Sequence, residues 1–175
     1  MRDNTTKQGR RLEGAAAEFL EMAGYTFIDD PKIKRMVASE GVENALDTLK
    51  RLKGKAPMYV GQTNACFSIY GVPWKIDFLV YHPDLFPEGL LVEVKQQSAP
   101  GSVDEKYPFV IMSLQNNTPA KGLIFMGGGA IRDCVRDWCL SQESDDLFVA
   151  TNEREFREII TRGRKTLRQS RNHSE

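Results

Sequence analysis

The chain has 175 residues, and 24 Lys and Arg balance 24 Asp and Glu, so its formal net charge is zero. At 41% hydrophobic and 27% charged it has an ordinary globular composition, and its length suits one domain of about 100–200 residues; disordered and collagen-like classes are excluded. No apolar run approaches the ~20 residues of a membrane-spanning helix, Met1-Arg2-Asp3-Asn4 lacks a signal peptide's apolar stretch, and zero net charge speaks against an evenly basic protein that coats nucleic acid.

Thr5 to Ala23 reads as a helix. Thr5-Thr6-Lys7-Gln8 has the form of a capping box, Leu12, Ala16, Phe19, Leu20 and Ala23 recur at helical spacing, and Gly24 sits where a terminating glycine belongs. Tyr25 to Ile28 begins a short strand that Asp29-Asp30-Pro31 breaks. Residues 32–56, rich in Lys and Glu, have the look of an insertion with one helix, Val42 to Leu52, whose Ala45, Leu46, Leu49 and Leu52 share a side. The basic run Lys50, Arg51, Lys53 and Lys55 suits that helix's C-terminus, with a DNA contact as the second reading.

From Met58 the period changes to two. Met58–Gln62 and Cys66–Tyr70 are short strand candidates, with Gly61 and Asn64 as punctuation. Trp74–Tyr81 and Leu90–Gln97, joined through His82-Pro83-Asp84 and Pro87-Glu88-Gly89, predict an antiparallel hairpin. Ser98–Ser102 is a small-residue loop, and Asp104–Leu114 a helix with Pro108 in its first turn. A buried-type strand at Gly122–Met126 runs into Gly127-Gly128-Gly129 and a helix from about Ala130 to Leu140, with Ile131, Val135, Trp138 and Cys139 inward. The glycines lack a P-loop's lysine and read as a tight strand-to-helix turn. Leu147–Ala150 is a last strand, and Thr151-Asn152-Glu153-Arg154-Glu155 caps a helix to about Arg162. The expectation is a single domain over 1–175, an α/β fold with a mixed sheet and helices on both faces, and a basic, flexible tail at 163–175.

Cys66, Cys134 and Cys139 are an odd number without a pairing pattern, which points to a reducing, cytoplasmic setting. Cys134 and Cys139, five apart on a helix, diverge and lack histidine partners, against zinc. His82 flanks a turn and His173 lies in the tail, so neither supports histidine-based catalysis.

The hairpin carries the chemistry. Lys75, Asp77, Leu79 and Tyr81 share one face of its first strand, with Ile76, Phe78 and Val80 opposite; on the second, Leu91, Glu93, Lys95 and Gln97 face away from Val92 and Val94. With the apolar sets on the core, Asp77 falls beside Glu93 and Lys95. A structural ion pair at a sheet rim is one reading. The other begins from the repulsion of two neighbouring carboxylates, which a hard divalent cation with oxygen ligands relieves. Mg2+ on Asp77, Glu93 and the Val94 carbonyl would leave Lys95 to hold or deprotonate an attacking water.

Asp77 followed sixteen positions later by Glu93-Val94-Lys95 resembles the active-site motif of the PD-(D/E)XK nuclease superfamily, the fold of many restriction endonucleases. Gly9-Arg10-Arg11-Leu12-Glu13 looks like that family's N-terminal helix with a glutamate aimed at the metal. Glu93 to Gln97, followed by Gly101 to Pro108 and the strand-glycine-helix at 122–140, looks like a bacterial and phage-associated subgroup. Ile76 stands where the motif's proline would be, a position often degenerate in the family.

The resemblance implies a restriction endonuclease-like sheet, an antiparallel meander plus further strands, and a Mg2+-dependent endonuclease that hydrolyses DNA, with Mn2+ able to substitute and a homodimer if both strands are cut. Asp77 and Glu93 would be direct metal ligands. Lys95 would orient the water and stabilise transition-state charge, and Glu13 would reach the same or a second metal. Gln97 would contact the scissile phosphate or brace Lys95, and Arg10, Gln97, Ser102 and Lys106 would face substrate. For Glu13 a solvated glutamate paired to Arg10 or Lys7 stays open, as does a sheet-edge amide for Gln97. A structure-specific repair or junction-resolving nuclease, and a silent nuclease-fold protein that only binds nucleic acid, also stay open. On this reading zero net charge averages an acidic metal centre with basic clusters at Arg10-Arg11, Lys50–Lys55 and Arg162–Arg171.

Overall fold

The computed structural model describes residues 3–37, 41–97 and 104–164, with side chains from residue 11 onward save that of Val37. The elements run α1 (Asp3–Met22), β1 (Thr26–Phe27), α2 (Pro31–Val37), α3 (Val42–Lys53), β2 (Met58–Phe67), β3 (Pro73–His82), β4 (Phe86–Gln96), α4 (Lys106–Gln115), β5 (Lys121–Gly127), α5 (Asp133–Ser141), β6 (Leu147–Ala150) and α6 (Glu153–Arg162). The strands form one sheet in the order β1-β2-β3-β4-β5-β6. β2, β3 and β4 make an antiparallel meander, whereas β1 joins β2, and β5 and β6 extend β4, in parallel.

Strand alternation feeds two cores rather than one. Leu79, Tyr81 and Leu91 face Ala45, Leu46 and Leu49 of α3 and Tyr107, Val110 and Ile111 of α4. Phe78, Val80, Leu90, Val92 and Val94 face Ala16, Phe19 and Leu20 of α1 and Phe156, Ile159 and Ile160 of α6. The mixed α/β architecture with helices on both faces is therefore as expected. α6 opens on Asn152, whose side chain accepts from the Glu155 N–H at 3.0 Å.

Several elements differ from the sequence expectation. Residues 31–37 form a helix: Asp30 does not merely break the chain but accepts from the Lys32 N–H at 2.8 Å, with Pro31 at the first helical position. Met58–Gln62 and the start of Cys66–Tyr70 are one strand, β2, bulged between Thr63 and Cys66. Ile76 joins the cluster of Leu79 and Tyr81 instead of that of Phe78 and Val80. The change of face falls beside the β2 bulge, where local twist increases. Trp138 is 38% exposed, because α5 starts only at Asp133 and turns Cys139 inward.

The 32–56 stretch contributes core as well as charge through α3. In the basic tail at 163–175, Gly163 caps α6 in the left-handed conformation, and residues 165–175 lie outside those described. Among the described residues no helix is long and apolar enough to cross a membrane.

Candidate active site

The site lies where β3 and β4 part. Their ladder runs from His82↔Phe86 to Phe78↔Val92, and Asp77 is one residue past its end. β4 continues beside β5 alone, from Glu93↔Ile124 to Gln96↔Gly127. The Val94 N–H, released from β3, donates to Asp77 Oδ2 at 2.7 Å. A carboxylate thus fills the fork that strand pairing leaves open, which keeps a buried donor satisfied.

Glu93 is 5% exposed and points to the α3/α4 side, where its Oε1 accepts from Lys95 Nζ. Its other oxygen, Oε2, is buried without a hydrogen bond from any described protein group. Burial pushes the Glu93 carboxyl up to about 7, Lys95 opposes the shift and Asp77 adds to it. Glu13 comes from α1, on the other side of the sheet. Its carboxyl is also raised, by burial first and then by Asp77.

Between Glu13 and Asp77 stands Gln62 of β2. Its Nε2 donates to Glu13 Oε1 at 2.6 Å and to Asp77 Oδ1 at 2.9 Å. Gln62 has φ +52°, a left-handed conformation uncommon for any residue but glycine. No periodicity marks Gln62 in the sequence. The one sequence signal near it is the broken alternation after Gly61, which reads as punctuation between two short strands.

The fold therefore brings Glu13, Asp77, Glu93 and Lys95 to one fork. Gln97 is fully buried: its Nε2 donates to Asp104 Oδ1 at 3.0 Å, and Asp104 Oδ2 lies 3.0 Å from Arg132 Nε. The Gln97 amide thereby links the end of β4 to the start of α4. Val94 packs its side chain in the α1/α6 core. Lys106 is exposed at the first residue of α4. The Arg10 side chain and Ser102 lie outside the described residues. Cys134 is exposed and Cys139 buried, so the two diverge as their spacing requires. His82 Nδ1 accepts from the Asp84 and Leu85 N–H groups at 3.2 Å, which employs it as a turn residue.

Gly127-Gly128-Gly129 is a packing device. A Cβ at Gly127 would meet Leu12 of α1, and one at Gly128 would collide with the Gln97 carbonyl. Gly128 also has φ +97°.

Among the described residues no three His, Cys, Asp or Glu side chains are spaced to hold a metal ion together. The donors present are Asp77, Glu93 with its unpartnered buried oxygen, and nearby main-chain carbonyls, all hard oxygens. Such a partial set fits Mg2+, which binds through one or two carboxylates and keeps several waters. The family model described as a PD-(D/E)XK nuclease superfamily domain matches residues 4–172 of the chain. No curated protein and no solved structure matches it.

Proposed function

We propose that this chain, which belongs to the PD-(D/E)XK nuclease superfamily, is a Mg2+-dependent endonuclease that hydrolyses DNA phosphodiester bonds. One observation carries the reading. Glu93 is held at the fork, 5% exposed, with one oxygen on Lys95 and the other unpartnered, beside an Asp77 carboxylate that the Val94 N–H orients. Leaving a buried carboxylate oxygen unmatched costs stability, and such strain belongs where a ligand relieves it.

Asp77, Glu93 and the Val94 carbonyl would hold the cation. Bound there, Mg2+ or Mn2+ would polarise the scissile phosphate and lower the pKa of a water. Lys95 donates to the attacking water and, as a cation, stabilises the charge that grows on the phosphoryl oxygens. The attacking water gives up a proton to bulk water, its oxygen bonds to phosphorus as one phosphorus–sugar oxygen bond breaks, and the departing alkoxide takes a proton from a second solvent water. Lys106 and the basic clusters supply phosphate contacts at no fixed sequence. Cys66, Cys134 and Cys139 are all free, in keeping with a reducing cytoplasm.

The test is a cleavage assay with Mg2+ or Mn2+ on linear, nicked, branched and single-stranded DNA, with Lys95→Ala as control. Cleavage that the substitution abolishes supports the reading, and preference for branched substrates would assign a junction-resolving role. DNA binding without cleavage would make the chain a silent nuclease-fold binder. Equal cleavage by Lys95→Ala would sink the mechanism. Sedimentation with and without DNA tests the homodimer that cutting both strands calls for.

A further inference from the structure

We propose that Gln62 is a positioning residue of this centre, its amide tying the helix glutamate Glu13 to the strand aspartate Asp77 and so fixing the direction of the Asp77 carboxylate. The inference rests on the metal-dependent reading above and deepens it. Glu13 and Asp77 come from opposite structural origins, a helix packed on one side of the sheet and a strand within it. Two carboxylates facing each other repel. The Gln62 Nε2 carries two hydrogens and meets both, at 2.6 and 2.9 Å. With Oδ2 on the Val94 N–H at 2.7 Å, both Asp77 oxygens are held by N–H donors, which orients the carboxylate.

The backbone supplies an independent observation. Among the described residues Gln62 is the one non-glycine with a positive φ, +52°. It stands next to the Thr63–Cys66 bulge, and bulges commonly re-aim a side chain beside an active site. Glycine would occupy this conformation without strain, and asparagine with little. Glutamine has no such advantage, so the backbone does not account for the residue. Its reach does: the side chain is long enough, and its amide nitrogen carries two hydrogens, to span both carboxylates. Partners that orient a metal's ligands typically change affinity or activity by about 10–100-fold when removed.

Gln62→Gly separates the two explanations. It relaxes the backbone while deleting the amide. Expected are a thermal midpoint equal to or above that of the unsubstituted chain, Mn2+ affinity by calorimetry without DNA lowered about tenfold, and kcat lowered about tenfold with KM unchanged. Gln62→Asn tolerates the same backbone but is one methylene too short, and is expected to lose the same Mn2+ affinity. A Gly variant that is less stable with Mn2+ affinity intact would make Gln62 a purely structural residue and overturn the proposal. So would wild-type Mn2+ affinity and kcat in both variants, while the unsubstituted chain binds and cuts. If the unsubstituted chain neither binds Mn2+ nor cuts DNA, the metal-dependent reading itself falls.

Discussion

Two stretches of β4 differ in one neighbour. Leu90 to Val92 has a strand on each side, β3 at Val80, Leu79 and Phe78 and β5 at Lys121, Gly122 and Leu123. All three residues are fully buried and apolar. Glu93 to Gln96 keeps β5 but has lost β3, and here Glu93, Lys95 and the Asp77–Val94 hydrogen bond appear. Where both edges are paired, every backbone group is satisfied and side chains can be chosen for packing alone. Where one partner leaves, a polar side chain must replace it, and a site is opened in the sheet without a gap in the core.

If that division holds, substitutions in the two stretches should separate activity from stability. Lys95→Ala should lower cleavage about 10³-fold, some 4 kcal/mol of transition-state stabilisation, with the fold intact because Glu93 can take up a proton instead. Steady-state kinetics and circular dichroism on the same sample check both halves. Leu91→Ala, two residues away, should do the reverse. It should cost about 2–5 kcal/mol of stability by denaturant titration, with kcat of the folded fraction within tenfold; an equal kinetic loss would break the comparison.

Glu93 supplies the next effect. Its carboxyl, raised to about 7 from an ordinary 4.5, favours the protonated form in the fold. That contribution to stability is fully present below about pH 4.5, declines as pH rises toward 7 and is gone above it. Its size is on the order of a few kcal/mol. Thermal midpoints without metal should therefore fall across this window, and Glu93→Gln should flatten the profile. Adding Mg2+ should raise the midpoint at pH 8 and leave it unchanged at pH 5, where a proton already occupies the site. Smallest is Asn152→Ala at the α6 cap, expected to cost about 1 kcal/mol by denaturant titration and to leave cleavage untouched.

The sequence was legible where a pattern repeats. Alternation placed β3 and β4 side by side, and with them Asp77, Glu93 and Lys95, because register on two buried faces leaves little freedom. Leu12, Ala16, Phe19 and Leu20 placed α1. Features resting on single residues were not legible. Asp30 reads as a breaker until its carboxylate is seen to cap α2. Gln62 matters through one dihedral and two hydrogen bonds, neither of which has a sequence period. Gln97 shares the Lys95 face by alternation, and no sequence period announces its hydrogen bond to Asp104, seven residues on.

Gly127 has no chemistry to offer, yet it acts as a locating hole. The Leu12 side chain sits where a Cβ of Gly127 would be, so α1 is pinned to the end of β5 one residue before Glu13. Axial sliding and rotation of the helix are blocked at the point where Glu13 must meet its partners. The tolerance on a carboxylate eighty positions from Glu93 is thus set by a missing methyl group on a third element. Gly127→Ala should shift α1 as a unit and misplace Glu13 while both carboxylates, Lys95 and their strands stay chemically intact.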